Sequence, residues 1–192
     1  FLRQTLATDY FEMGRWDESL AQIEAFRQIP ERFAYLYAGA VGMELAIEAC
    51  RSGVGDPDRM DELVAESVEL KDLQAIVPSR SYAVWQAIAI GDEERVIRQA
   101  RAIVDDSGTT RFLLDAMAPT MWALHAHGEL SLLEPLLQDL RRFDMPRPRA
   151  SLDAVDAVLA APADPSAAVA SLEDAAARQV EMGLVTDAVV TR

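Results

Sequence analysis

The chain has 192 residues, of which 51% are apolar and 26% are charged, and its formal net charge is −14 at pH 7. The length fits one domain or one array of repeats, and the apolar content is sufficient for a folded core. The excess of negative charge repels nucleic-acid phosphates and anionic lipids. We therefore expect neither a nucleic acid nor a membrane as a direct partner.

Cys50 is the only cysteine, so the chain cannot form an internal disulfide, and a reducing, cytoplasmic compartment is expected. The apolar runs are shorter than the ~20 residues of a membrane span, and no secretion signal opens the chain. Both ends fall within helical patterns, so the chain is expected to be a fragment of a longer protein. The abundance of alanine, with Lys71 as the sole lysine, suggests a GC-rich bacterial genome.

Helical periodicity begins at the first residues and continues along the chain. Leu2, Leu6 and Tyr10 follow the three-to-four spacing that places side chains on one helix face, and Leu20 and Phe26 continue it after a bend. No hairpin turn pair or long apolar–polar alternation indicates a strand. The sequence predicts an all-α protein.

Helix starts are marked by capping residues. Asp56 followed by Pro57, and Asp164 followed by Pro165, each place an N-cap before a proline at the first helical position. Ser131–Glu134 has the spacing of a capping box. These residues predict helices that begin near 57, 132 and 165.

Helix ends and interruptions are marked by glycine and proline. Gly183 is placed to end a helix, and Pro119 either kinks a helix or starts a new one. Short breaks recur about every 36 to 40 residues, a period typical of two-helix solenoid repeats. They lie at Gly14, Gly53–Asp56, Gly91, Gly128 and Ala163–Asp164, with a second set at Pro30, Pro78, Gly108, Pro146 and Gly183.

This regularity predicts a right-handed α-α superhelix, or α-solenoid, of about five antiparallel helix pairs. The expected repeats, within one domain over 1–192, are 1–30, 31–77, 78–108, 109–146 and 147–183, with 184–192 starting a further helix. An irregular helical bundle is the alternative.

Residues 2–30 resemble a tetratricopeptide repeat. The match is carried by Leu6, Ala7, Tyr10, Gly14, Trp16, Ile23 and Pro30. The resemblance implies that Gly14 allows the bend between the two helices of the repeat. Ser19 replaces the usual alanine, and Phe26 stands where a small side chain is usual. The rest of the chain is tetratricopeptide-like by periodicity.

The resemblance also implies a site. In tetratricopeptide arrays the first helices of successive repeats line a concave groove. Carried onto this chain, the groove would be lined by Thr8, Phe11 and Glu12, by Ser81, Trp85 and Ile88, and by Ala118, Trp122 and His125. Exposed tryptophans on such a face commonly anchor a partner. Alternatively, Trp85 and Trp122 are core residues between helices.

We expect no catalytic residues, cofactor or metal. His125 and His127 point about 200° apart on a helix and cannot share a metal ion. Val104–Gly108 has two adjacent acids that are ordinary helix-end chemistry. Leu140–Ala150 holds four arginines, including Arg141. They form either a docking patch for an acidic or phosphorylated group or, as we favour, helix-end charges followed by a solvated loop.

We therefore expect a non-catalytic protein- or peptide-binding module of a larger bacterial protein, whose partners include other domains of the parent chain. Arrays of this composition resemble those of signalling ATPases and of cyclase- or LuxR-type transcription regulators. Two other hypotheses stay open. A small-molecule sensor would have a closed apolar pocket with converging polar groups, and a helical enzyme would bring paired carboxylates or a His–acid pair into a cleft.

Overall fold

A computed structural model describes residues 2–29, 34–107, 116–134, 137, 140–141 and 146–192. Every regular element in these ranges is a helix, which confirms the all-α prediction. The α-helices are α1 (Leu2–Glu12), α2 (Trp16–Arg27), α3 (Ala34–Ser52), α4 (Pro57–Glu69), α5 (Leu73–Ile90), α6 (Glu93–Ser107), α7 (Met117–Ala126), α8 (Pro146–Ala160), α9 (Pro165–Glu181) and α10 (Val185–Thr191), and a 3₁₀ helix spans Leu130–Leu133.

Two of the predicted caps are confirmed. The Asp56 carboxylate accepts a hydrogen bond from the backbone N–H of Arg59 at the start of α4. The Asp164 carboxylate does the same for the N–H of Ala167 at the start of α9. In both helices a proline follows at the first position, where its missing N–H leaves no bond unmade.

Three boundaries differ from the sequence-based expectation or decide between its alternatives. The capping box at Ser131–Glu134 is wrong, because Ser131 lies inside the 3₁₀ helix, whose N-cap is Glu129. The break expected at Pro78 lies earlier, since α5 begins at Leu73 with Asp72 as its N-cap and runs through Pro78. Pro119 lies in the first turn of α7 and so belongs to a helix start.

The bend between α1 and α2 has the features expected of a tight interhelical turn. Gly14 has a φ of +70°, a backbone angle that side-chain-bearing residues rarely adopt. The buried Ser19 hydroxyl donates to the carbonyl oxygen of Ala7 at 2.8 Å and thereby ties α2 to α1. Ile23 and Phe26 are fully buried behind this contact, so the bulky Phe26 is accommodated as a core residue.

The helices form two layers, an inner ring and an outer shell. Helix α1 contacts α3, α3 contacts α5, α5 contacts α7, α7 contacts α10, and α10 returns to contact α1. Helices α2, α4 and α6 pack outside this ring, each against the two ring helices that flank it, while α8 packs on α7 and α9 on α10. In an open solenoid each repeat contacts only its neighbours, whereas here the last described helix contacts the first.

Two hydrophobic cores meet at α5. The N-terminal core contains buried residues of α1 to α5, among them Phe11, Phe26 and Tyr82. The C-terminal core contains buried residues of α5 to α9, among them Ile103 and Leu124. Helix α5 therefore packs on both sides, which accounts for its long, almost wholly apolar sequence.

Candidate functional site

The inner ring encloses a cavity of about 410 Å³. All five ring helices, or the residues that begin them, contribute to its lining. Helix α7 contributes through its N-cap, Ala116, and α10 through Thr186 and Asp187. The cavity combines depth with polar and aromatic side chains, and we call it the ring cavity.

One wall of the ring cavity is a stripe along α5. Gln74, Val77, Pro78, Ser81 and Trp85 follow the three-to-four spacing of one helix face and all line it. Pro78 has no N–H to donate to the carbonyl of Gln74, so this carbonyl lacks its α-helical partner. The stripe therefore combines an aromatic ring with polar groups and a backbone acceptor outside the helical bonding pattern.

An aromatic group supports this wall from α1. The Phe11 ring meets the Tyr82 ring edge-on, with centroids 5.4 Å apart, and the Trp85 ring at 6.3 Å. On its other side Phe11 stacks with Trp16 at 6.4 Å. Phe11 is 5% exposed, whereas Trp85 is half-buried. Phe11 is therefore a core residue that fixes the position of Trp85 and borders the ring cavity.

The wall formed by α1 is polar. The Gln4 amide donates to the Thr8 hydroxyl at 3.3 Å, and that hydroxyl donates to the Gln4 carbonyl oxygen at 3.2 Å. Asp9 and Glu12 continue the same face toward the end of the helix. With Asp187 of α10, the lining holds three carboxylates, and none of its described residues is lysine, arginine or histidine.

Closure of the ring depends on close contacts between the α1–α2 turn and α10. The Thr186 hydroxyl donates to the carbonyl oxygen of Glu12 at 3.3 Å. A Cβ placed on Gly14 would lie 3.6 Å from Val185 Cγ1, and one placed on Gly183 would lie 3.6 Å from Met13 Cγ. We call this contact region the seam. It brings α10 beside α1, and so completes the lining.

The structure brings together five of the residues expected to line a groove. Thr8, Phe11, Glu12, Ser81 and Trp85 all border the ring cavity.

The other expected groove residues lie elsewhere. Ile88 packs against the C-terminal core, Trp122 is 39% exposed on α7, and His125 is exposed one turn later. Ala118 is buried. Helix α7 thus meets the ring cavity only through its N-cap, Ala116, because the side chains of its middle turns point to other surfaces.

Several lining residues were not anticipated from the sequence. Gln74 and Val77 belong to the first turns of α5, which the expected break at Pro78 had placed in a different helix. Tyr35 and Gly39 lie on α3 with the spacing of a helix face, a signal that was available. Thr186 and Asp187 line the ring cavity only because the seam brings α10 beside α1, and no local sequence pattern predicts such a long-range contact.

Other candidate sites have the following structural settings. The described residues contain no group of three or more His, Cys, Asp or Glu side chains arranged to hold a metal ion. His127 is the C-cap of α7, and its ring nitrogen Nδ1 lies 2.9 Å from the carbonyl oxygen of Ala123 in that helix. Arg141 forms an ion pair with Asp156, while Arg142 and Asp144 of the arginine-rich segment lie outside the described residues. None of the described helices is both long and apolar enough to cross a membrane.

Comparisons with protein-family models, with curated proteins and with solved structures find no match to this chain.

Proposed function

We propose that the chain is a non-catalytic, tetratricopeptide-like module that binds a segment of a partner protein in the ring cavity. The observation that carries this proposal is the cavity itself, where aromatic rings and hydrogen-bonding groups from four helices, α1, α3, α5 and α10, border one space. Its volume, about 410 Å³, is within the range of sites that bind small ligands or a few side chains.

Trp85 supports binding rather than a purely structural role for this wall. It is half-buried and borders open space, while the contacts of Phe11 hold its ring in place. A rigid, partly exposed tryptophan in a concave site is the type of residue that contributes most to protein interfaces. In this proposal Phe11 supports the wall of the cavity, and Trp85 contacts the partner.

The repeat interpretation draws support from local geometry. The first helices of the first three pairs, α1, α3 and α5, form the inner layer, as in a tetratricopeptide groove. The positive φ of Gly14 and the Ser19–Ala7 hydrogen bond agree with the resemblance over residues 2–30. The superhelical arrangement stays a prediction, as does membership of a larger cytoplasmic signalling or transcription-regulatory protein of bacterial origin.

A second candidate function is sensing of a small molecule. The observation in its favour is the contact of α10 with α1, which adds a further wall to a space that an open solenoid would leave as a groove. A helical enzyme is the least favoured of the three hypotheses.

The proposed function is tested by filling the cavity. A Cβ on Gly39 would have only Gln4 Nε2 within 4 Å, at 3.6 Å, so Gly39→Leu directs a side chain into the ring cavity. Ala65→Leu, on an exposed position of α4, is the matched control. Wild type and both variants are applied to an array of immobilised random decapeptides. We expect a set of peptides that bind wild type and Ala65→Leu but lose at least tenfold in affinity with Gly39→Leu.

Circular dichroism and a thermal melt check that Gly39→Leu is folded. If folded Gly39→Leu binds every peptide as wild type does, the ring cavity is not a peptide site. A thermal-shift screen of small organic compounds then addresses the second candidate, for which stabilisation of wild type but not of Gly39→Leu is the supporting result.

A further inference from the structure

We propose that the bound segment is basic, and that it inserts an arginine or lysine side chain into the ring cavity, with the stem among the aromatic rings and the charge near Asp9. This inference rests on the proposed function and specifies the chemistry of its partner. It follows from three properties of the lining, namely its charge, its unused acceptors and its rings.

The charge of the lining is negative. Asp9, Glu12 and Asp187 contribute carboxylates, and none of the described lining residues is basic. Glu12 and Asp187 already take part in other interactions, so the argument rests on Asp9. Asp9 is exposed at the edge of the cavity, and the described residues place no cation beside its carboxylate. An incoming cation would find a carboxylate available for a charge-assisted hydrogen bond.

The acceptors inside the cavity match a donor-rich ligand. Ser81 is 7% exposed, and the described residues offer its hydroxyl no hydrogen-bond partner although it borders the cavity. The Gln74 carbonyl lacks its helical partner because Pro78 follows four residues later. A guanidinium carries five N–H donors and no acceptor, so it suits a lining that supplies mainly oxygen atoms.

The rings suit the rest of such a side chain. Trp85, Tyr82 and Tyr35 border the same space as Ser81, with Leu36 and Val77 between them. Aromatic faces bind cations through their quadrupole, and their apolar surface packs against the methylene stem of arginine or lysine. A neutral apolar segment would cover the Ser81 hydroxyl without offering it a hydrogen-bond partner, which is unfavourable.

The test uses the peptides that Gly39→Leu fails to bind. Because the whole chain has a net charge of −14, basic peptides also bind weakly and without specificity. Gly39→Leu keeps that charge, so comparison with it removes the non-specific component. We expect the cavity-dependent peptides to be enriched in arginine and lysine relative to the array. For one such peptide, replacing the arginine by neutral citrulline should weaken binding about tenfold at 150 mM salt, the effect of one charge-assisted hydrogen bond.

Two variants locate the charge. Asp9→Asn should weaken the arginine peptide about tenfold and should largely remove the difference between arginine and citrulline. Asp105→Asn, at an exposed position of α6 outside the cavity lining, makes the same charge change and should leave both affinities within twofold of wild type.

Cavity-dependent peptides that lack basic residues would overturn this inference while leaving the proposed function intact. Equal effects of Asp9→Asn and Asp105→Asn would also overturn it, because the charge of the cavity edge would then have no specific role. If no peptide depends on the cavity, the proposed function itself fails.

Discussion

The two cores of this protein are built from different side chains. The N-terminal core contains Phe11, Phe26 and Tyr82, with Trp16 and Trp85 packed against it. The described residues of the C-terminal core are aliphatic side chains, alanine and methionine. Aromatic rings have few rotamers and specific edge-to-face geometries, so they position neighbours more sharply than flexible aliphatic chains do. The ring cavity borders the aromatic core, which holds its aromatic lining residues in place.

The two halves also differ in whether their buried hydroxyls and amides have hydrogen-bond partners. In the N-terminal half, Ser19 donates to the Ala7 carbonyl oxygen, and the hydroxyls of Ser67 and Ser79 are 2.8 Å apart.

In the C-terminal half, the buried side-chain polar atoms of Thr120, Ser151, Gln179 and Thr191 have no hydrogen-bond partner among the described residues, and in the N-terminal half the same holds for Trp16 Nε1. Unpartnered buried groups lower stability. The comparison suggests that the N-terminal half is the more precisely specified framework.

The largest expected difference in stability is between the truncation of a core aromatic residue and that of an exposed one. Phe11→Ala removes a ring that is 5% exposed and contacts three other rings, so it should lower the free energy of unfolding by roughly 3 to 5 kcal/mol. Trp122→Ala, at a position 39% exposed, should lower it by about 1 kcal/mol or less. Urea denaturation of both variants makes the comparison. Equal losses would mean that the aromatic residues of the two halves have similar structural roles.

A second comparison lies within α3. A Cβ on Gly42 would lie 3.2 Å from Tyr82 Cδ2 and 3.3 Å from Leu63 Cδ2, so Gly42→Ala should cost about 1 to 3 kcal/mol by overpacking the aromatic core. A Cβ on Gly39 would have only Gln4 Nε2 within 4 Å, at 3.6 Å, so Gly39→Ala should stabilise the helix by about 0.5 to 1 kcal/mol. Thermal melts show whether each variant is more or less stable than wild type. Stabilisation by Gly42→Ala would show that α3 and α5 are not in close contact there.

A third comparison concerns a buried amide of the C-terminal half. Gln179 is fully buried, and the described residues offer no hydrogen-bond partner to its amide nitrogen or its amide oxygen. Gln179→Met keeps the length of the side chain and removes both polar atoms, so it should raise the free energy of unfolding by about 1 kcal/mol. Chemical denaturation measures this change. If Gln179→Met instead lowers the free energy of unfolding by more than about 1 kcal/mol, the amide has hydrogen-bond partners in solution, and the C-terminal half is as well specified as the N-terminal half.

Sequence reasoning predicted the local features of this fold and missed the long-range ones. The caps at Asp56 and Asp164 and the turn at Gly14 follow from interactions within a few residues, so their patterns are sufficient. Pro78 misled the placement of α5, because its cavity-facing position tolerates the lost hydrogen bond within a helix stabilised by two cores.

The lining of the ring cavity follows from the sequence in part. The tetratricopeptide resemblance grouped Thr8, Phe11, Glu12, Ser81 and Trp85 on one face, and all five border the ring cavity. The orientation of α7 depends on how it packs between α6, α8 and α10, which no pattern within α7 records, so the sequence could not show that Trp122 and His125 lie away from the ring cavity. The contribution of α10 requires the seam, which joins residues more than 170 positions apart.

Closure of the ring at the seam is the central claim, because without it the ring cavity would be an open groove. It is tested most directly by a disulfide between Gly14→Cys and Val185→Cys in a Cys50→Ala background, with circular dichroism to check that the strain of a cysteine at the positive φ of position 14 leaves the protein folded. A Cβ on Gly14 would lie 3.9 Å from the Val185 Cβ, within the range of disulfide bonds. Mild oxidation should give a monomeric, intramolecularly crosslinked chain that migrates faster on a non-reducing gel. Folded protein that keeps two free thiols or forms only intermolecular dimers would show that α1 and α10 do not meet, and would contradict the closed ring.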